Sequence, residues 1–150
     1  MERILVVIRN KSATTRELVH EAGEVAAGTG AELRLLHVMP DEEYDERMSS
    51  RLESKTGGYS LDEAETEAKR LAAEVGRRAL SDVHVEYDVI AAVGHEEETI
   101  LDIAEDQECD HMFIAGRRRS PSGKALFGDL TQRILLNFDG MVTVHLTDEE

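Results

Sequence analysis

Residues 112–128 read MFIAGRRRSPSGKALFG. An apolar run from Met112 to Ala115 stops at Gly116; Arg117, Arg118 and Arg119 follow, then Ser120-Pro121-Ser122-Gly123-Lys124, and Gly128 closes the stretch. The run is too short for a helix and predicts a buried strand, while the small and cationic residues behind it predict a loop that feeds a helix. At such a junction backbone N–H groups converge and glycine lets a ligand approach closely, so the stretch is a candidate anion site. Charge supports that reading. The chain holds 32 Asp+Glu against 17 Lys+Arg, a formal net charge of -15, yet four of its cationic residues lie between Gly116 and Lys124 with no acidic residue among them.

Working outward from this stretch, the same alternation of short apolar runs and helical spacings recurs. Arg3 to Ile8 is a β-branched run, apolar on both faces, as a central parallel strand requires. Asn10, Ser12 and Thr14 offer caps for a helix whose Leu18, Val19, Ala22, Val25 and Ala26 repeat at helical spacing until Gly28-Thr29-Gly30. A second strand spans Glu32 to Val38 and ends by Pro40, and residues 41–60, acidic and poor in apolar side chains, are expected to be a long mobile connection. Ser60 or Asp62 caps a helix running to about Leu80; Val83 to Ile90 alternates as a third strand; Gly94 breaks the chain before a helix opened by Glu96, Glu97 and Glu98. His111 to Ala115 is the fourth strand, Leu126 to Phe138 carries the apolar face of the last helix, and Met141 to Leu146 is the fifth strand. This order predicts an α/β fold in one domain over residues 1–150: a three-layer α/β/α sandwich around a five-stranded parallel sheet. In such a sheet ligands bind beyond the carboxyl ends of the strands, where the winding reverses.

Length and composition set the outer limits. One cysteine, Cys109, excludes an internal disulfide and a Cys-based zinc cluster, and it reads as a small buried hydrophobe. The absence of a leader-like or long apolar segment predicts a cytoplasmic protein with no membrane partner. The excess of carboxylates repels nucleic acid over most of the surface, so no nucleic-acid partner is expected. Only four of the cationic residues are lysine, and this pairing of many acids with few lysines resembles the surface of a salt-adapted prokaryotic protein.

Several catalytic and nucleotide signatures fail. Gly123-Lys124 has Arg118 five residues upstream of Gly123 and Ala125 downstream, so it is no mononucleotide P-loop, and Arg9-Asn10-Lys11-Ser12 after the first strand has no glycine fingerprint. His20, His37, His84, His95, His111 and His145 form no close pair at three- or four-residue spacing and read as structural. No Gly-x-Ser-x-Gly elbow and no water-activating residue stands out, so nothing calls for an enzyme; a slow ATPase is the most that fits. The plainer reading of Arg117 to Arg119 is a set of solvated salt bridges to the chain's own carboxylates, including those of 41–46. Gly116, Ser120, Ser122, Gly123 and Gly128 argue against it, since an ion-pair network needs no room for close backbone approach.

The order of elements, the Ile4-Leu5-Val6-Val7 opening, Leu35-Leu36-His37-Val38 and above all Ala115-Gly116 through Gly128 resemble the universal stress protein family over essentially the whole chain. The resemblance implies an adenine nucleotide alpha hydrolase-like fold and a stress-response role. It also implies a homodimer through the last strand, here Met141, Val142, Thr143, Val144 and His145. In one subclass it implies ATP, ADP or AMP, with magnesium, bound through Gly-x2-Gly-x9-Gly-(Ser/Thr) after the fourth strand. Gly116 matches the first glycine of that pattern and Gly128 the last; Arg119 stands at the second, the spacing from it is one residue short, and Asp129 replaces the hydroxyl residue. Arg9 stands where relatives that bind nucleotide carry an aspartate, and Val38 is the position implied for an adenine pocket. The expected site for a nucleotide or other phosphate-bearing ligand is therefore Arg9, Val38, Gly116, Arg117, Arg119, Ser120, Ser122, Gly123, Lys124, Gly128 and Asp129. The alternative is a dimeric scaffold without nucleotide, whose basic loop and acidic 41–60 segment engage a protein partner.

Overall fold

The structure, a computed structural model, describes residues 1–53, 58–118 and 127–148. The element order is β1 (Arg3–Val7), α1 (Ala13–Thr29), β2 (Glu32–Pro40), α2 (Asp41–Glu53), α3 (Leu61–Ala79), β3 (Tyr87–Gly94), α4 (Glu96–Asp106), β4 (His111–Arg117), α5 (Asp129–Asn137) and β5 (Met141–Thr147). The five strands form one sheet in the order β3-β2-β1-β4-β5, every pair parallel. The chain thus builds outward from β1 to one edge, then returns to the other side of β1, and the winding reverses between β1 and β4.

Strand periodicity creates the layers. Ile4, Val6 and Ile8 pack with Leu18, Val19, Leu35 and Val75 beneath α1 and α3, whereas the alternate residues Leu5 and Val7 pack with Leu36, Ile100 and Ile134 beneath α4 and α5. Consecutive Leu35 and Leu36 therefore serve opposite cores, and each is fully buried. Cys109 is buried as expected, and burial pushes its thiol up in pKa, which keeps it an inert hydrophobe.

Local signals set most boundaries. Ser12 caps α1 by accepting from the Thr15 amide at 3.2 Å, and Gly30 ends the helix at φ 79°, a left-handed position where glycine costs least. Ser60 caps α3 by accepting from the Glu63 amide at 3.1 Å.

Three boundaries differ from the sequence expectation. Residues 41–53 are not a mobile connection but helix α2: Asp41, Glu42 and Glu43 complement its N-terminal dipole, and Tyr44 and Met48, one turn apart, pack against Tyr59, Met39, Ala64 and Ala68. Strand β3 starts at Tyr87 rather than Val83: its pairing with β2 begins with Leu33 opposite Tyr87 and continues to Gly94 opposite Pro40. Val83 and Val85 keep their inward alternation against the α1–α3 core without a strand to pair with. Helix α5 starts at Asp129, not Leu126, since Gly128 at φ 89° and ψ 154° cannot be helical and the Phe127 carbonyl accepts from the Arg117 amide at 3.0 Å.

Candidate functional site at the carboxyl edge

Two adjoining clefts open at the carboxyl ends of the strands. The first lies at the reversal between β1 and β4, with Val7, Ala115 and Leu130 as its apolar floor. Its walls come from the start of α1 (Asn10, Thr14, Thr15), the end of β4 (Gly116), the start of α5 (Gly128, Thr131) and the end of β5 (Thr147).

Sequence dictates why this cleft is open. A Cβ on Gly116 would lie 2.8 Å from Val144 Cγ1 and 3.4 Å from the Phe127 carbonyl oxygen, so only glycine lets β4 pass this close to β5 and the chain entering α5. At Gly128 the constraint is backbone conformation: its φ of 89° with ψ of 154° lies in a region that is in practice glycine's alone, and the turn it makes carries the α5 N-terminus to the cleft.

The polar wall is held in place by its own hydrogen bonds. Asn10 Oδ1 accepts from the Ser12 amide at 3.0 Å and from the Thr15 hydroxyl at 2.5 Å, which fixes the turn from β1 into α1. Thr131, 2 % exposed, donates its hydroxyl to the Ala115 carbonyl at 2.7 Å and ties α5 to the end of β4. Behind the wall, His37 Nδ1 lies 2.6 Å from the Ile8 carbonyl and the Ile8 amide donates to the Leu36 carbonyl at 2.7 Å, anchoring the end of β1. Helix α1 has no acidic residue in its first turn, so its N-terminal dipole is not neutralised from within its own helix.

The second cleft is of opposite character. Asp41 and Glu42 of α2, Glu96 and Glu97 of α4 and Asp129 of α5 line it together with Arg9 and Arg133. Both cations are engaged: Arg9 Nε lies 3.2 Å from Glu96 Oε2, and Arg133 Nε lies 3.7 Å from Glu97 Oε1. Arg9 and Leu130 border both clefts and form the divide between them.

Of the expected site residues, Arg9, Gly116 and Gly128 line the first cleft, and Arg9 does so while paired with Glu96. Arg117 ends β4 beside it, its amide bonded to Phe127, and is engaged rather than free. Asp129 lines the acidic cleft and is not among the residues bordering the first, so the carboxylate and the glycine beside it serve different surfaces. Val38 is buried among Leu36, Ile100 and Met112 in the core under α4 and α5, and lines neither cleft. Arg119, Ser120, Ser122, Gly123 and Lys124 lie outside the described residues. Sequence reasoning missed Thr15, Thr131 and Thr147 and saw Asn10 and Thr14 only as caps; apolar floor plus hydroxyl and amide wall is a binding surface, and among its described residues there is no carboxylate or imidazole to act as a base.

A profile described as the universal stress protein family matches residues 1–145. Comparison with curated proteins returns no match. Among solved structures, a universal stress protein from Archaeoglobus fulgidus is similar over 96% of this chain and 98% of its own, with TM-score 0.68 at 22% identity. The universal stress protein from the same organism in complex with dAMP is similar over 96% and 97%, with TM-score 0.61 at 18% identity. A universal stress protein family protein from Arabidopsis thaliana with AMP bound is similar over 99% and 94%, with TM-score 0.62 at 11% identity.

Proposed function

The chain belongs to the universal stress protein family, and from that premise we propose that it binds a nucleotide (ATP, ADP or AMP) or another phosphate-bearing ligand in the cleft between β1 and β4, in a stress-response or signalling role. The observation that carries this reading is the pair of glycines, Gly116 and Gly128, that clears the cleft at the reversal of the sheet and brings the α5 N-terminus to it, opposite the start of α1. Similar structures hold dAMP and AMP, which supports the same ligand class here. Phosphate takes the amides around Gly116, Gly128 and Ser120–Ser122, with Arg117, Arg119, Gly123 and Lys124 beside it, and Asn10 and the threonines complete the polar wall. Asp129, which lines the acidic cleft, leaves the Gly128 side of α5 open to an anion.

In the same proposal the protein is a cytoplasmic homodimer joined through Met141 to His145 of β5, which among the described residues is an edge strand beside β4. Among the described residues no helix is long and apolar enough to cross a membrane. The Arg9–Glu96 ion pair favours the second reading, a scaffold for a protein partner, because it engages one cation that phosphate would otherwise use.

Calorimetric titration of the purified protein with AMP, ADP, ATP and inorganic phosphate, with and without magnesium, separates the two. Saturable binding of one ligand per chain is expected. No heat and no thermal shift for any of the four, with no nucleotide released on denaturation, leaves the scaffold.

A further inference from the structure

Beyond the clefts, α1 carries a second group of chemically distinctive side chains. One ligand-capable atom from each of His20, Glu21 and Glu24 falls within 4.8 Å of the other two. His20 Nδ1 lies 3.3 Å from Glu24 Oε1, one helical turn on, and His20 Nε2 lies 3.3 Å from Asp82 Oδ1 and 3.4 Å from Asp82 Oδ2. Asp82 follows α3 in sequence, so the group joins two parts of the fold.

Packing explains why they meet. Leu80, buried at 6 % exposure, enters the space that a Cβ on Gly23 would occupy, which seats the end of α3 against α1 two residues from Asp82. The His20 side chain is in turn only 31% exposed and sits between the two carboxylates.

A tetrahedral first-row ion with bonds of about 2.0–2.2 Å to nitrogen and oxygen sets neighbouring donor atoms about 3.3–3.6 Å apart. The Nδ1 to Glu24 separation of 3.3 Å already equals such an edge. Asp82 faces the other ring nitrogen; in the tautomer with the proton on Nε2 its carboxylate accepts the N–H, which leaves the Nδ1 lone pair for a metal. An imidazole nitrogen with carboxylate oxygens suits Zn2+ and its first-row neighbours; Ca2+ asks for six to eight oxygens and Mg2+ keeps most of its waters.

We propose that His20, Glu21 and Glu24 form a site for a divalent first-row transition ion of the zinc type, with Asp82 as the residue that positions His20. Water completes the coordination of this open surface site. The site is independent of the nucleotide reading, and it ties α1 to the end of α3 when occupied.

The test titrates the full chain with Zn2+ by calorimetry and with Co2+ by its visible absorption at pH 7.5, in wild type, His20→Ala, Glu24→Gln, Asp82→Asn and the control His84→Ala. One high-affinity equivalent is expected in wild type and His84→Ala, with the Co2+ bands absent from His20→Ala and binding weakened in Glu24→Gln. Asp82→Asn should bind about 10–100-fold more weakly while keeping the bands, the mark of an orienting residue. Zn2+ should raise the unfolding temperature of wild type and not of His20→Ala, whose unchanged circular dichroism shows that it folds. Unaltered affinity in His20→Ala or Glu24→Gln, or no Zn2+-dependent shift in wild type, overturns the proposal and leaves an ion pair only.

Discussion

Gly128 and Gly116 are both indispensable to the cleft, for different physical reasons that mutation separates. A Cβ on Gly128 meets nothing within 4 Å among the described residues, so Gly128→Ala is expected to cost chiefly backbone strain, about 1–3 kcal/mol of stability by chemical denaturation. Gly116→Ala instead pushes on Val144, an overpacking cost of about 1–3 kcal/mol that the second change Val144→Ala should partly relieve, whereas Val144→Ala should not help Gly128→Ala. Titrating residues lie at the opposite end of β4. Burial lowers the pKa of His111, and its Nε2 pairs with the Thr143 hydroxyl at 2.7 Å while its buried Nδ1 has no partner among the described residues. A depressed folded-state pKa means that stability is full above the unfolded value and falls as pH drops below about 6.5. Asp110, held below the usual carboxylate range by the Glu2 and then the Arg3 amide, adds a loss in the same direction below about pH 4. Denaturation curves should therefore lose stability between pH 7 and 5 in wild type, and His111→Phe should flatten that interval while leaving the step at lower pH. Gly116 and Gly128 were legible in the sequence because their spacing from one strand end is local. Thr15, Thr131 and Thr147 were not, because only the topology gathers them from three separated elements.

Helix α2 shows how composition can hide an element. Its acidic residues read as a solvated connection, yet Tyr44 and Met48 were visible at helical spacing, and they close the α3 side of the sheet over Tyr59. Tyr59 fastens the helix: 4 % exposed, it donates its hydroxyl to Glu67 at 2.6 Å, and Arg47 of α2 bridges Glu67 and Glu43. Tyr59→Phe should cost about 1 kcal/mol, and Arg47→Ala about 0.5 kcal/mol with a salt-sensitive effect, since its ion pairs are solvated. If α2 were the loose connection that its composition suggests, Arg47→Ala would not move the unfolding midpoint. The misplaced start of β3 has the same lesson at the sheet edge. Alternation of Val83, Val85, Tyr87 and Val89 reported which side faces the core, but the residues that pair are set by the register against β2, with Tyr87 opposite Leu33. The His20 and Glu24 spacing was equally local; Asp82, which gives the pair its geometry, is 62 residues away.

For the molecule as a whole, a parallel five-stranded sheet with its ligand edge at the carboxyl ends was readable from the alternation of elements together with the crossover rules, whereas the order β3-β2-β1-β4-β5, which sets the reversal between β1 and β4, is seen only in the structure. Composition did not place the second cleft, where Asp41, Glu42, Glu96, Glu97 and Asp129 come together beside the first, divided from it by Arg9 and Leu130. At the other sheet edge, Met141 at 67 % and Leu146 at 39 % exposure leave apolar surface along β5. Sedimentation at micromolar concentration should give a dimer, shifted to monomer by Met141→Asp with Leu146→Asp. The central claim, a ligand in the cleft between β1 and β4, is tested most directly by amide chemical-shift mapping while AMP is added to isotopically labelled protein. The account predicts saturable shifts concentrated at Gly116, Gly128, Thr131 and the Asn10–Thr15 turn, and absent around His20. No shifts at saturating AMP, or shifts confined to surfaces away from β1 and β4, would contradict it.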